Sequence, residues 1–156
     1  MAGFKTITAD QMNQTQKKIH SKISSMLDFL DKCLGQPDNP NQDMSQIYVY
    51  EMYSTFTHAV EEYGKLLYMK SLIQDTDGKY EVNYRYKFRD HTTKFNLALT
   101  DLPESINVLY PGGFTKMSMN VLNVDLDNDN NPTDIEFDID IDTLRKCVFD
   151  FRNYFT

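Results

Sequence analysis

One interruption governs what this chain can fold into. The segment Gly35-Gln36-Pro37-Asp38-Asn39-Pro40 separates two long stretches of helical periodicity. A glycine just past a helix takes the left-handed conformation without strain, and proline cannot continue the helix. Residues 35–43 are therefore expected as a loop. Before it, apolar residues recur at Met12, Ile19, Ile23, Met26, Leu27, Leu30 and Leu34, one face of a helix over 8–34. Thr8 and Gln11 fit a capping box at its start. After the break, Val49, Met52, Tyr53, Phe56, Val60, Tyr63, Leu67 and a terminal Leu72-Ile73 predict a helix over 44–74. Its aromatic load predicts that more than one face is covered. Gly64 inside that helix costs about 1 kcal/mol relative to alanine, and a close crossing by another backbone would offset the loss. Asp77-Gly78 marks a turn.

The next segment is ambiguous by pattern. Val82, Tyr84, Tyr86 and Phe88 alternate with polar residues and read as a strand. Phe95, Ala98, Leu99 and Leu102 have helical spacing, yet Phe95, Leu97 and Leu99 also alternate. Asp90 can cap a helix beginning near His91, and Pro103 would end it. Further on, alternating apolar residues at 117–126 and 135–141 flank Asp127-Asn128-Asp129-Asn130-Asn131-Pro132, which predicts a β-hairpin. Asp142 is expected to cap a last helix with Leu144, Cys147, Val148, Phe151 and Phe155 on one face. The length suits a single domain over 1–156.

The net charge of −7 has a local origin. Eight of the 23 acids lie between Met117 and Asp142, where no lysine or arginine occurs, which leaves 15 acids against 16 bases elsewhere. Charge outside that segment neither favours nor opposes an RNA partner. No apolar run approaches the roughly 20 residues of a bilayer span, so no membrane association is expected. The sequence start lacks the apolar core of a secretion signal and the glycine placement for myristoylation. Two distant cysteines, Cys33 and Cys147, lack metal-ligand spacing and read as reduced thiols of a cytoplasmic protein.

Two short stretches concentrate chemistry. Ala59-Val60-Glu61-Glu62-Tyr63-Gly64-Lys65 lies within the second helix, and Phe88-Arg89-Asp90-His91-Thr92-Thr93-Lys94 follows downstream. Their acids, histidine and cations converge only if the helix and the later segment pack together. Glu61 and Lys65 are spaced as a helical surface pair worth ~0.2–0.5 kcal/mol. Glu62 stands four residues after His58 and three before Lys65, so it has two candidate partners. Arg85, Lys87, Arg89 and Lys94 surround His91, an environment that favours neutral imidazole and would also hold a phosphate. Asp125, Asp127, Asp129, Asn131, Thr133 and Glu136 imitate the spacing of a calcium loop. Asn130 replaces the turn glycine and the flanks are strand-like, so a solvated Asx-rich turn is the preferred reading and no metal or cofactor is expected.

The motifs Ala59–Lys65 and Phe88–Phe95 together resemble the AbiV (abortive-infection V) branch of the HEPN superfamily, whose proteins look like a-x-E-E-x-G-K followed by H-x-x-K. The acidic segment Asn123-Val124-Asp125-Leu126-Asp127 feeding a last helix is similar to that family's C-terminal part. The likeness runs from about Met44 to the end, roughly two-thirds of the chain. It implies a mainly α fold, a HEPN-like four-helix bundle with helices over 8–34, 44–74, 91–102 and 142–155 and a β-hairpin inserted before the last. It also favours helix over strand for 91–102. HEPN proteins commonly form homodimers and cleave RNA without metal through an arginine followed four to six residues later by histidine. Arg85 and His91 are separated by five residues and fit that count, although Tyr86 stands where the family has a small or polar residue. Arg89 competes for the arginine role.

Two functions follow as expectations. In the first, a metal-independent ribonuclease of phage defence or stress response uses His91 on a ribose hydroxyl and Arg85 or Arg89 on the phosphate. Glu62 and Lys65 tune the histidine, with Glu61 and Lys94 in the binding surface. In the second, the same residues are a buried network in a non-catalytic dimeric module that binds a phage or antitoxin protein, or a nucleic acid.

Overall fold

The computed structural model describes residues 2–40, 46–112, 128–131 and 139–155. They are mainly helical, with two small antiparallel strand pairs. β1 (Phe4–Ile7) leads into α1 (Ala9–Leu34). The Thr8 hydroxyl accepts from the Gln11 N–H at 3.1 Å and the Gln11 side chain accepts from the Thr8 N–H at 2.9 Å, the reciprocal capping box the sequence predicts. α1 stops at Gly35, which takes φ +75°. The expected loop is tighter than its composition suggests. β2 (Gly35–Gln36) pairs with β3 (Asn39–Pro40), so Pro37-Asp38 forms the connecting turn.

α2 (Gln46–Ser71) ends three residues before the predicted boundary. The Ser71 hydroxyl donates to the Tyr68 carbonyl at 2.6 Å, and Asp75 then organises the turn by accepting from the Asp77 and Lys79 N–H groups, both at 2.9 Å. Ile73, expected in the buried stripe, is 88% exposed. β4 (Tyr80–Asn83) pairs antiparallel with β1, Lys5 opposite Val82. The segment 80–88, left open between strand and helix by its pattern, is strand as far as Asn83, where the four residues of β1 end the pairing. Tyr84–Phe88 instead winds into a π-helical turn. The Asn83 side chain accepts from the Tyr86 N–H, and the Arg89 N–H closes the wide ring on the Tyr84 carbonyl at 2.8 Å. Tyr84 and Phe88 then stack with centroids 5.5 Å apart.

α3 (His91–Asp101) is capped as predicted, with the Asp90 carboxylate accepting from the Thr93 N–H at 2.9 Å and from its hydroxyl at 2.7 Å. A 3-10 turn over Glu104–Leu109 follows Pro103. α4 (Ile141–Phe155) begins one residue earlier than expected. The Leu144 N–H bonds the Asp140 carbonyl at 3.0 Å, so Asp142 lies inside the first turn and is not the cap. The predicted hairpin falls almost wholly outside the described residues. Within its turn Asn130 takes φ +61°, a left-handed conformation asparagine tolerates, at the position a calcium loop gives to glycine.

The described residues form two compact units. In residues 1–28 with 57–101, Ile19, Ile23 and Leu27 of α1, Val60, Leu66 and Met69 of α2, Val82 of β4, and Phe95 and Ala98 of α3 are buried. In residues 29–56 with 102–156, Leu30, Leu34, Tyr53, Phe56, Ile106, Leu109, Leu144 and Phe151 form the core. Each fully buried large side chain contributes roughly 1.5–3 kcal/mol. In this second unit the Tyr53 hydroxyl donates to the Leu109 carbonyl at 2.8 Å, and Phe56 meets Phe151 edge to face at 5.7 Å. Arg145 is 4% exposed and donates from Nε to the Leu34 carbonyl at 2.7 Å, satisfying an orphan group at the end of α1. Cys33 and Cys147 are not joined in a disulfide. Burial first, then the nearby Asp150 charge, pushes the Cys147 thiol up to about 12, against a smaller opposing effect of Lys146.

Candidate functional site

The two motif stretches meet, and a glycine lets them. α2 and α3 cross where Gly64 faces the backbone of Lys94. A Cβ built on Gly64 would lie 1.8 Å from the Lys94 carbonyl oxygen. The close crossing predicted to offset the glycine's helix penalty is therefore present. It brings Glu61, Glu62, Lys65, His91 and Lys94 to one place.

Two linked groups form there. In the outer one, His91 Nδ1 lies 2.8 Å from Glu61 Oε2, with the His91 side chain 69% and the Glu61 side chain 12% exposed. A carboxylate only accepts, so Nδ1 carries the proton and donates. Lys94 Nζ stands 4.0 Å from the same Glu61 oxygen. Burial above all, then the neighbouring Lys65 charge, lowers the Lys94 pKa, while Glu61, Glu62 and Asp90 oppose that shift. In the inner group, Lys65 Nζ donates to Glu62 Oε1 at 2.9 Å and His58 Nε2 lies 3.7 Å from the same oxygen. Lys22 of α1 reaches within 3.3 Å of His58 Nε2. Burial pushes the Glu62 carboxyl up, but the nearby His58 ring, the Lys65 hydrogen bond and the charges of Lys65 and Lys22 together outweigh it and hold the pKa at about 2. Glu62 is thus an ionised, buried carboxylate with satisfied partners.

The candidate arginines stand elsewhere. Arg85 and Arg89 are exposed at and just beyond the π-helical turn. The Arg85 guanidinium lies 5.4 Å from the Tyr86 ring centroid and that of Arg89 lies 5.9 Å from the Tyr84 centroid. Among the described residues neither is bonded to His91. Sequence reasoning found the carboxylates, the histidine and both lysines but missed Lys22. Lys22 sits on the polar face of α1, 36 residues from His58, with no local signal. His58 was readable through its four-residue spacing to Glu62.

The arrangement can orient an imidazole for proton transfer. One carboxylate fixes its tautomer, and the ring stays open to solvent. Among the described residues no group of three or more His, Cys, Asp or Glu side chains is placed to hold a metal ion. Nor, among them, is any helix long and apolar enough to cross a membrane. No family model, curated protein or solved structure matches this chain.

Proposed function

We propose that this chain is a HEPN-like, AbiV-like protein of phage defence or stress response that cleaves RNA without metal at the Glu61–His91 pair. The observation carrying this reading is the 2.8 Å contact between His91 Nδ1 and a mostly buried Glu61, with the imidazole exposed. With the Nδ1 proton held by Glu61, Nε2 has the lone pair. It would take the proton of a ribose 2′-hydroxyl as that oxygen attacks the adjacent phosphorus. The 5′-oxygen would leave with a proton from solvent, giving a 2′,3′-cyclic phosphate. Arg85 or Arg89 would stabilise the charge on the phosphate. Among the described residues neither arginine bonds the pair, so a homodimer, in which a second copy supplies the cation, belongs to the same proposal. The order and lengths of α1 to α4 support a HEPN-like bundle. The test incubates wild type, His91→Ala and Glu61→Gln with a mixed RNA pool in EDTA. Cleavage by wild type alone is expected, and an active His91→Ala protein would sink this site.

A second reading, a non-catalytic interaction module, draws support from the buried members of the two groups. Glu62 and Lys94 are 5% and 6% exposed, which suits groups that hold α2 against α3. Folded wild-type protein that leaves every RNA intact, yet is captured by a protein partner, is the outcome this reading predicts.

A further inference from the structure

Four cations around the β1–β4 ladder and the π-helical turn lie against aromatic rings and not against carboxylates. Lys5 Nζ lies 3.8 Å above the Tyr84 ring centroid, and the Arg89 guanidinium reaches the same ring at 5.9 Å. Arg85 lies 5.4 Å from the Tyr86 centroid and Lys87 5.9 Å from that of Tyr68. All four are exposed, and among the described residues none makes an ion pair. The chain as a whole has seven more acids than bases, so uncompensated like charges gathered in one place need a reason.

The topology gathers them. Lys5 sits opposite Val82 in the β1–β4 ladder, and the Arg85 N–H donates to the Gly3 carbonyl at 3.0 Å, which lays the π-helical turn alongside the start of β1. The turn leaves Tyr86 58% exposed with the Arg85 guanidinium beside its ring. The stacked pair Tyr84 and Phe88 continues to Lys65, whose Nζ stands 4.9 Å from the Phe88 centroid. A cleft of about 880 Å³ adjoins the turn, lined in part by Lys87, Lys94, Tyr68, Asn83 and Thr93 and also by the Glu81 carboxylate. Cations interleaved with rings, next to a cleft with amide and hydroxyl groups, match the chemistry of an unpaired nucleotide strand. The phosphates meet cations and the free base faces meet rings, whereas a duplex has no free base faces to offer.

We propose that the π-helical turn Tyr84–Phe88, with Lys5 and Arg89, is a platform for single-stranded RNA that delivers the strand toward His91. The choice of RNA over other anions rests on the ribonuclease reading above. Tyr86 is the stacking surface, and Lys5 and Lys87 contact phosphates.

Binding is measured on the His91→Ala protein, so that cleavage does not enter. The probe is a fluorescently labelled single-stranded oligoribonucleotide, with its duplex and poly-glutamate as competitors, followed by anisotropy over a range of salt. Tyr86→Ala is expected to weaken binding about tenfold or more, as loss of one base stack does. Lys5→Gln with Lys87→Gln should flatten the dependence of log affinity on log salt by about 0.7 for each cation removed. Affinity and slope unchanged in both variants would overturn the platform, even if wild type cleaves RNA. Tighter binding of the duplex, or binding of poly-glutamate without RNA, would overturn it as well. Strand binding that depends on Tyr86 and the lysines, in a wild-type protein that cleaves nothing, would uphold the platform and remove the nuclease.

Discussion

Gly64 and Lys94 are in backbone contact, and one helical turn before them, at Glu61 and His91, the two helices exchange a hydrogen bond of 2.8 Å. Each member of the hydrogen-bonded pair stands three residues before a member of the crossing. The spacing of the acid and the imidazole is therefore set by main-chain approach, with no side chain between to absorb an error.

Gly64→Ala is expected to destabilise by about 3 kcal/mol, at the upper end of the usual range for overpacking. The new methyl would meet a carbonyl oxygen held in a helix, so backbone must move. The gain of about 1 kcal/mol in helix propensity is smaller and does not rescue it. Urea denaturation reads the difference, and an equal or higher midpoint would refute the crossing.

The Glu62 carboxyl has a folded-state pKa of about 2 against an ordinary 4.5. A depressed carboxyl stabilises the fold fully above its unfolded value and loses that contribution as pH falls toward the folded one. Wild type should therefore lead Glu62→Gln in stability at neutral pH, and the lead should shrink as pH drops from about 4.5 to about 2. A difference that stays constant over that range would contradict the buried, ionised assignment.

His91→Ala should change stability by less than about 0.5 kcal/mol, because the ring is mostly exposed. Glu61→Gln keeps the shape of the side chain but removes the charge that holds the imidazole, and should lower cleavage about a hundredfold or more. Thermal melts beside cleavage rates check both. A His91→Ala protein that no longer folds would show the histidine to be structural.

In the second unit, Arg145→Met should cost about 2 kcal/mol. The loss comes from the charged hydrogen bond to the Leu34 carbonyl. Its partner Asp142 is 77% exposed, so that ion pair adds little. Asp142→Asn is the control and should be nearly neutral in the same melt.

Much of this could be read locally. Thr8 with Gln11, Gly35, and Asp90 with Thr93 are signals a few residues long whose physics is complete within one turn of chain. The crossing at Gly64 was legible because a mid-helix glycine asks for a reason. The π-helical turn was not. Val82, Tyr84, Tyr86 and Phe88 alternate as a strand would, and the same residues place Tyr84 four before Phe88, ready to stack. What decided between them was the length of β1, four residues at the far end of the chain from any obvious partner. Leu72 and Ile73 extended the α2 pattern in sequence, but Asp75 captures two N–H groups and turns the chain away. Lys22 and Arg145 could not be foreseen, because each meets its partner across a sequence distance that no periodicity encodes.

A cation seated on a ring leaves no orphan behind when its charge is removed. Had Lys5 been paired with a carboxylate, neutralising it would strand an acid and weaken the fold. Over Tyr84, acetylation would erase the charge while the ring remains content with any neighbour, and methylation would keep the charge. The anion binding proposed for these cations could therefore be edited chemically, or by mutation, without leaving a buried charge unpaired.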